Sequence, residues 1–137
     1  MATRSITYVH DGDDKSPVIV AMYRHFDGHF DSHGHALENF LSKKALINGI
    51  NCQDKYSDFA NGMGDLAAQL VCHFKKGCAV GGFYLRAFGD GDTDEEYVYR
   101  IYSEDDVLYL KGSHYKTSFK TSFTKKFNSK KVEKANH

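Results

Sequence analysis

Polar and apolar positions alternate from Thr3 to Val9, a stretch rich in β-branched residues, and this predicts a first strand. Residues 11–17, DGDDKSP, carry turn chemistry. The more apolar run 18–26, VIVAMYRHF, then predicts a second strand that forms an antiparallel hairpin with the first. Residues 27–34 are too polar and glycine-rich for a regular element. From His35 the period changes: Leu37, Phe40, Leu41, Ala45 and Leu46 lie on one helical face, with an end expected near Asn48–Gly49. Residues 50–60 show no clear period, and 61–64, NGMG, read as a loop. A second helix follows, capped by Asp65, with Leu66, Ala67, Leu70, Val71 and Phe74 as its stripe and Gly77 as its stop.

Strand patterns return at 82–88, 96–102 and 107–111, separated by acidic turns at 89–94 and 103–106. In the second of these strands Tyr97, Tyr99 and Ile101 fall on one face, with Val98, Arg100 and Tyr102 on the other. Together these elements predict an α+β fold. A hairpin and a meander form an antiparallel or mixed sheet with two helices on one face, in a single domain spanning 1–111. Residues 112–137 read as a basic, partly ordered tail. It holds a tandem KTSF repeat, and Phe119, Phe123 and Phe127 recur every fourth position on one helical or strand face.

Composition fits one domain with a real core: 137 residues, ten Phe, nine Tyr and one Pro. Nothing near the start looks like a signal peptide, and no run approaches a membrane span, so a cytoplasmic location without membrane association is expected. Three cysteines without CxxC spacing fit reduced thiols. The zero net charge hides an asymmetry. Residues 1–109 hold ten Lys+Arg against seventeen Asp+Glu, whereas 110–137 hold eight Lys and one Glu.

The densest chemistry is RHFDGHFDSHGH at 24–35, where His25, Asp27, His29, Asp31, His33 and His35 occupy alternate positions. Imidazole and carboxylate are ordinary ligands for zinc or iron, so His25, Asp27, His33 and His35 form the candidate set for a divalent metal. No HExxH accompanies them, and side chains alternating along an extended loop also suit solvation. A second role is anion or nucleotide recognition. Gly28 and Gly34 permit close backbone approach, Gly34 precedes a helix N-terminus, and Arg4 and Arg24 sit on paired strands at one end of the sheet. Pairing of both arginines with the surplus acids is the competing explanation. GDGDTD at 89–94 lacks a Glu at the twelfth position from Asp90 and reads as an acidic turn rather than a calcium loop.

TRSI at 3–6, YRHFDG at 23–28, Gly34 before a helix and the later EYVY at 96–99 resemble small, largely uncharacterised proteins of bacteriophages and bacteria. Those proteins carry an N-terminal Thr-Arg-Ser and a His-Trp-Asp-Gly-Tyr-Pro-like motif. Phe26 stands at the Trp position, and His29-Phe30 replaces Tyr-Pro. The resemblance implies a phage or mobile-element setting, with residence in the host cytoplasm and an accessory role. It singles out Arg4, His25, Asp27, Gly28 and Gly34.

The leading expectation is a non-enzymatic binding protein that engages a host protein or sequesters a small anionic, nucleotide-like ligand. Arg4, Arg24, His25, Asp27, Gly28 and Gly34 would line its site. One alternative is a metal-dependent hydrolase or phosphodiesterase built on the 25–35 segment. Another is nucleic-acid association through the Lys- and Phe-bearing tail. The aromatic strands and the Phe series also suit a homo-oligomeric surface.

Overall fold

A computed structural model describes residues 2–47, 59–76, 81–89, 95–115 and 121–127. In chain order the elements are β1 (Ser5–His10), β2 (Val18–Arg24), a wide π-type turn (Phe30–Gly34), α1 (His35–Ser42), β3 (Ala45–Ile47), β4 (Phe59–Asn61), α2 (Gly62–Lys75), β5 (Phe83–Arg86), β6 (Tyr97–Glu104), β7 (Val107–His114) and β8 (Thr121–Phe127). Six strands form one sheet in the order β5-β2-β1-β6-β7-β8, while β3 and β4 make a small parallel pair. The fold is α+β with a mixed sheet. The β1–β2 hairpin and the β6–β7–β8 meander are antiparallel, and the two halves join through a parallel β1–β6 contact. No helix among the described residues is long and apolar enough to cross a membrane.

Both helices pack on one face of this sheet. Leu37, Phe40 and Leu41 of α1 and Met63, Leu66, Ala67, Leu70 and Phe74 of α2 meet Val9, Met22, Tyr99, Ile101, Leu108, Leu110 and Phe127. Strand alternation puts Ile6, Tyr8, Ala21, Tyr23, Val98 and Arg100 on the opposite face. The split expected within residues 96–102 therefore holds.

Four expectations shift. First, α1 ends at Ser42, and Ala45–Ile47 form β3 instead of a last helical turn. Spacing of four satisfies a helix, but an Ala-Leu-Ile run also suits a strand, and pairing with Phe59–Asn61 takes its main-chain groups. Second, α2 starts at Gly62, ahead of Asp65. The Asp65 carboxylate reaches back to accept the Asn61 N–H at 2.8 Å from inside the first turn. Third, α2 closes where Lys76 takes a left-handed φ of 54°, its N–H donating to Cys72 O. Fourth, Gly112 lies inside β7, and residues 121–127 supply the sheet's sixth strand, with Phe123 and Phe127 turned toward the core. The expected Asn48–Gly49 cap, Gly77, most of the 89–94 turn and Phe119 lie outside the described residues.

Tail residue Phe127 is 6 % exposed, whereas the neighbouring Lys126 points to the other face and is exposed. Phe127→Ala should cost about 3 kcal/mol, and Lys126→Ala should stay within about 0.5 kcal/mol. Urea unfolding of the two variants checks this; equal midpoints would detach β8 from the core.

Candidate functional site

The loop after β2 is built around one fully buried histidine. His33 accepts a hydrogen bond at Nδ1 from Arg24 Nη1 (2.9 Å) and meets Thr7 Oγ1 through Nε2 at 3.0 Å. Arginine only donates, so Nδ1 holds the lone pair and Nε2–H donates to Thr7. Phe74, Phe83 and Tyr99 surround the ring at 5.2, 6.1 and 5.3 Å between centroids. Burial, reinforced by the Arg24 charge, pushes the His33 pKa down to about 3. Arg24 itself lies over the Phe83 ring at 4.9 Å, its Nε is buried without a partner, and burial pulls its pKa down.

Gly28 and Gly34 do make close backbone approaches, but to the protein itself. A Cβ at Gly28 would sit 2.8 Å from both Ser5 Cβ and Thr3 O. The Gly28 N–H donates to Thr3 O, and its carbonyl accepts the buried Tyr99 hydroxyl at 2.6 Å. Burial pushes the Tyr99 phenol pKa far up, so it stays a donor. A Cβ at Gly34 would sit 3.3 Å from the same ring. Its N–H donates to His29 O and that of His35 to Ser32 O, so the preceding turn occupies the amides that open α1. Asp27 takes a left-handed φ of 57°, and its carbonyl accepts the His33 N–H.

The residues expected to converge are divided between the two faces. Arg4 and Arg24 share one end of the sheet, but Arg24 stands level with Ser5 on the helix side and Arg4, one position earlier, is on the other side. Arg4 lies near enough to Tyr23 to oppose the effect of burial on that phenol. Tyr23 in turn bonds His25 Nδ1 at 2.8 Å. His35 is exposed on α1. Among the described residues, no three His, Cys, Asp or Glu side chains cluster as a metal site. The metal reading fails at His33 for a specific reason: both its ring nitrogens are engaged.

The face without helices holds a constellation that the motif-by-motif reading missed. Register aligns Tyr84, Tyr23, Ile6 and Val98 in one row, and Arg86, Ala21, Tyr8, Arg100 and Lys111 in the next. The Arg86 guanidinium lies 4.0 Å over Tyr23, and that of Arg100 lies 4.7 Å over Tyr8. Arg86 Nη1 also bonds the fully buried Glu95 carboxylate at 2.8 Å, leaving Glu95 Oε2 without a partner. Arg100 Nη1 donates to His10 Nε2 at 3.0 Å, while His10 Nδ1 donates to Ser16 O. Exposed Phe88 meets the edge of Tyr8, and Tyr102 and Tyr109 stack at 5.3 Å. Alternation in 96–102 was the available signal; the parallel β1–β6 register that lines these residues up was not legible locally.

The chain is thus an α+β protein with a two-faced mixed sheet, one face under helices and one carrying tyrosine and arginine. No protein-family model matches it, and neither a curated protein nor a solved structure does.

His33 yields a pH prediction. The unfolded chain protonates this imidazole below its ordinary pKa of about 6.5, whereas the folded site resists protonation down to about 3. Its contribution is therefore neutral above about pH 6.5 and increasingly destabilising below it, at about 1 kcal/mol per pH unit. His33→Gln can still accept from Arg24 and donate to Thr7, so it should flatten the fall in stability between pH 7 and 5. Urea unfolding across that range checks this, and an unchanged slope would remove His33 as its source.

Proposed function

We propose that this chain is a non-enzymatic binding protein whose helix-free sheet face takes a small anionic ligand of nucleotide type. The observation that carries the proposal is the in-register arginine–tyrosine set: Arg86 over Tyr23 and Arg100 over Tyr8, flanked by exposed Tyr84 and Phe88. Phenyl and phenol rings offer stacking surfaces for a flat base. Each guanidinium commits one nitrogen to a neighbour, Glu95 or His10, and retains further N–H groups for phosphate oxygens. Lys111, on the same face of β7, extends the positive row.

Charge placement supports the reading despite the acidic composition of residues 1–109. Asp11, Asp13 and Asp14 lie in the turn after β1, and Asp105 and Asp106 in the turn between β6 and β7, at the end of the sheet away from Arg4. A binding role also fits the fully buried His33, which is held neutral between a donor and an acceptor. The phage-type resemblance would make such binding an accessory function that withdraws a signalling nucleotide in a host.

Calorimetric titration with nucleoside mono-, di- and triphosphates, cyclic nucleotides and short oligonucleotides tests the proposal. Binding to at least one is expected, weakened by salt and lowered about tenfold by Arg100→Gln, the loss of one charge-assisted contact. No heat and no thermal stabilisation across the set would overturn the nucleotide reading and leave engagement of a host protein as the remaining binding role.

A further inference from the structure

We infer that the outer edge of β5, which no strand of the described residues pairs with, joins the same edge of a second copy, centred on Leu85. The inference goes beyond the ligand reading: it shares Tyr84 and Arg86 with that face but rests on the main-chain edge at Leu85. β5 is an end strand of the six-stranded sheet, and its Tyr84 and Leu85 are 52 % and 59 % exposed. Exposed apolar edge strands are usually blunted by a lysine, a proline or a bulge, because unpaired main-chain groups recruit another strand. β5, FYLR, contains neither lysine nor proline, its one charged side chain, Arg86, is paired with Glu95, and it pairs with β2 in unbroken register.

Hydrogen-bond phase shows which groups are available. The His25 N–H donates to Gly82 O at 2.9 Å, and the antiparallel register runs Arg24 with Phe83, Tyr23 with Tyr84 and Ala21 with Arg86. Bonded pairs recur every second residue, so Tyr84 and Arg86 bond inward to β2, while Phe83 and Leu85 turn their N–H and C=O outward. Lys75 Nζ from α2 bonds Phe83 O at 2.8 Å, which is consistent with this phase and caps that carbonyl. Leu85 keeps an outward donor and acceptor, the pair an incoming antiparallel strand uses.

The sequence of β5 is complementary to itself about that point. With Leu85 opposite its own copy, Tyr84 of one chain lies across from Arg86 of the other, twice by symmetry. Both side chains are on the helix-free face, where Arg86 already packs on Tyr23 at 4.0 Å within the chain. On the helix side, the incoming leucine meets a cavity of about 360 Å³ lined by Met22, Val71, Lys75, Phe83, Tyr84 and Leu85. An apolar wall suits a second leucine, and an unrelated strand would need this same pattern to do as well. The product is an isologous dimer with one sheet continuous across the two-fold axis.

Sedimentation equilibrium of the full chain without added ligand tests the inference. The wild type should move from chain mass toward twice that mass as concentration rises. Leu85→Glu should remain at chain mass with an unchanged far-UV spectrum and melting temperature, because the side chain is exposed on an edge. A wild type at single-chain mass throughout would overturn self-pairing; so would a Leu85→Glu protein that still dimerises. Register is read with single cysteines after replacing Cys52, Cys72 and Cys78 by serine. Leu85→Cys should cross-link under mild oxidation and Tyr84→Cys should not; the reverse pattern would overturn the Leu85 centre. Since Leu85 points away from the arginine–tyrosine face, failure here leaves nucleotide titration as an independent measurement.

Discussion

The parallel contact between β1 and β6 is the constraint on which the rest of the structure depends. It aligns Ser5–Val9 with Tyr97–Ile101 and so pairs residues of a hairpin with residues of a meander 92 positions further along the chain. Without it neither half has a closed core: β1 and β2 bring Val9 and Met22, and β6 to β8 bring Tyr99, Ile101, Leu110 and Phe127 to the same cluster. The same register puts the Tyr99 hydroxyl where it can bond Gly28 O, which ties the loop after β2 to the centre of the sheet. Closing so long a loop carries an entropic cost that grows only slowly with length, and the shared core has to exceed it.

Burial of Thr7 and His33, with Arg24 half-buried beside them, follows from this closure. A cation held by a neutral imidazole and an aromatic face, rather than by a carboxylate, is an economical way to keep a polar loop against a core: each ring nitrogen of His33 has a partner. Arg100 on the opposite face uses the same device, with His10 accepting its N–H and Tyr8 lying beneath it. Two arginines thus flank central β1, on opposite sides and with opposite consequences. Arg24 is spent on holding the loop, while Arg100 lies among side chains on the face without helices.

Electrostatics sharpen that contrast. Residues 1–109 carry seventeen Asp+Glu against ten Lys+Arg, a composition that by itself would repel a polyanion. The turns take up several of these acids, and the strands align Arg86, Arg100 and Lys111 in a row. Local charge, rather than net charge, governs a ligand that touches only that row. The outer edge of β5 adjoins it and would carry it across a two-fold axis in a dimer.

Period-two alternation in 3–9 and 96–102 and the 3.6-residue stripe of 66–74 made strands, a helix and an α+β class legible, because those patterns record which side of an element is buried. Part of the chemistry of individual positions was legible too: Gly28 and Gly34 do permit close approach, though of the protein's own chain and not of a ligand, and of the two faces open to the Phe series the strand face is the one that Phe123 and Phe127 share. Which groups meet was not. Arg4 and Arg24 share a strand end yet face opposite ways, and His33 is sealed among Phe74, Phe83 and Tyr99, because side-chain direction alternates along a strand while contact depends on pairing between strands far apart in sequence. The sequence by itself therefore determined the main strands and the second helix with their buried sides, but not β3, β4 or β8. Only the tertiary structure decided that the early polar motif serves the core and that tyrosine and arginine gather on the other face, since a register between distant strands has no local signal.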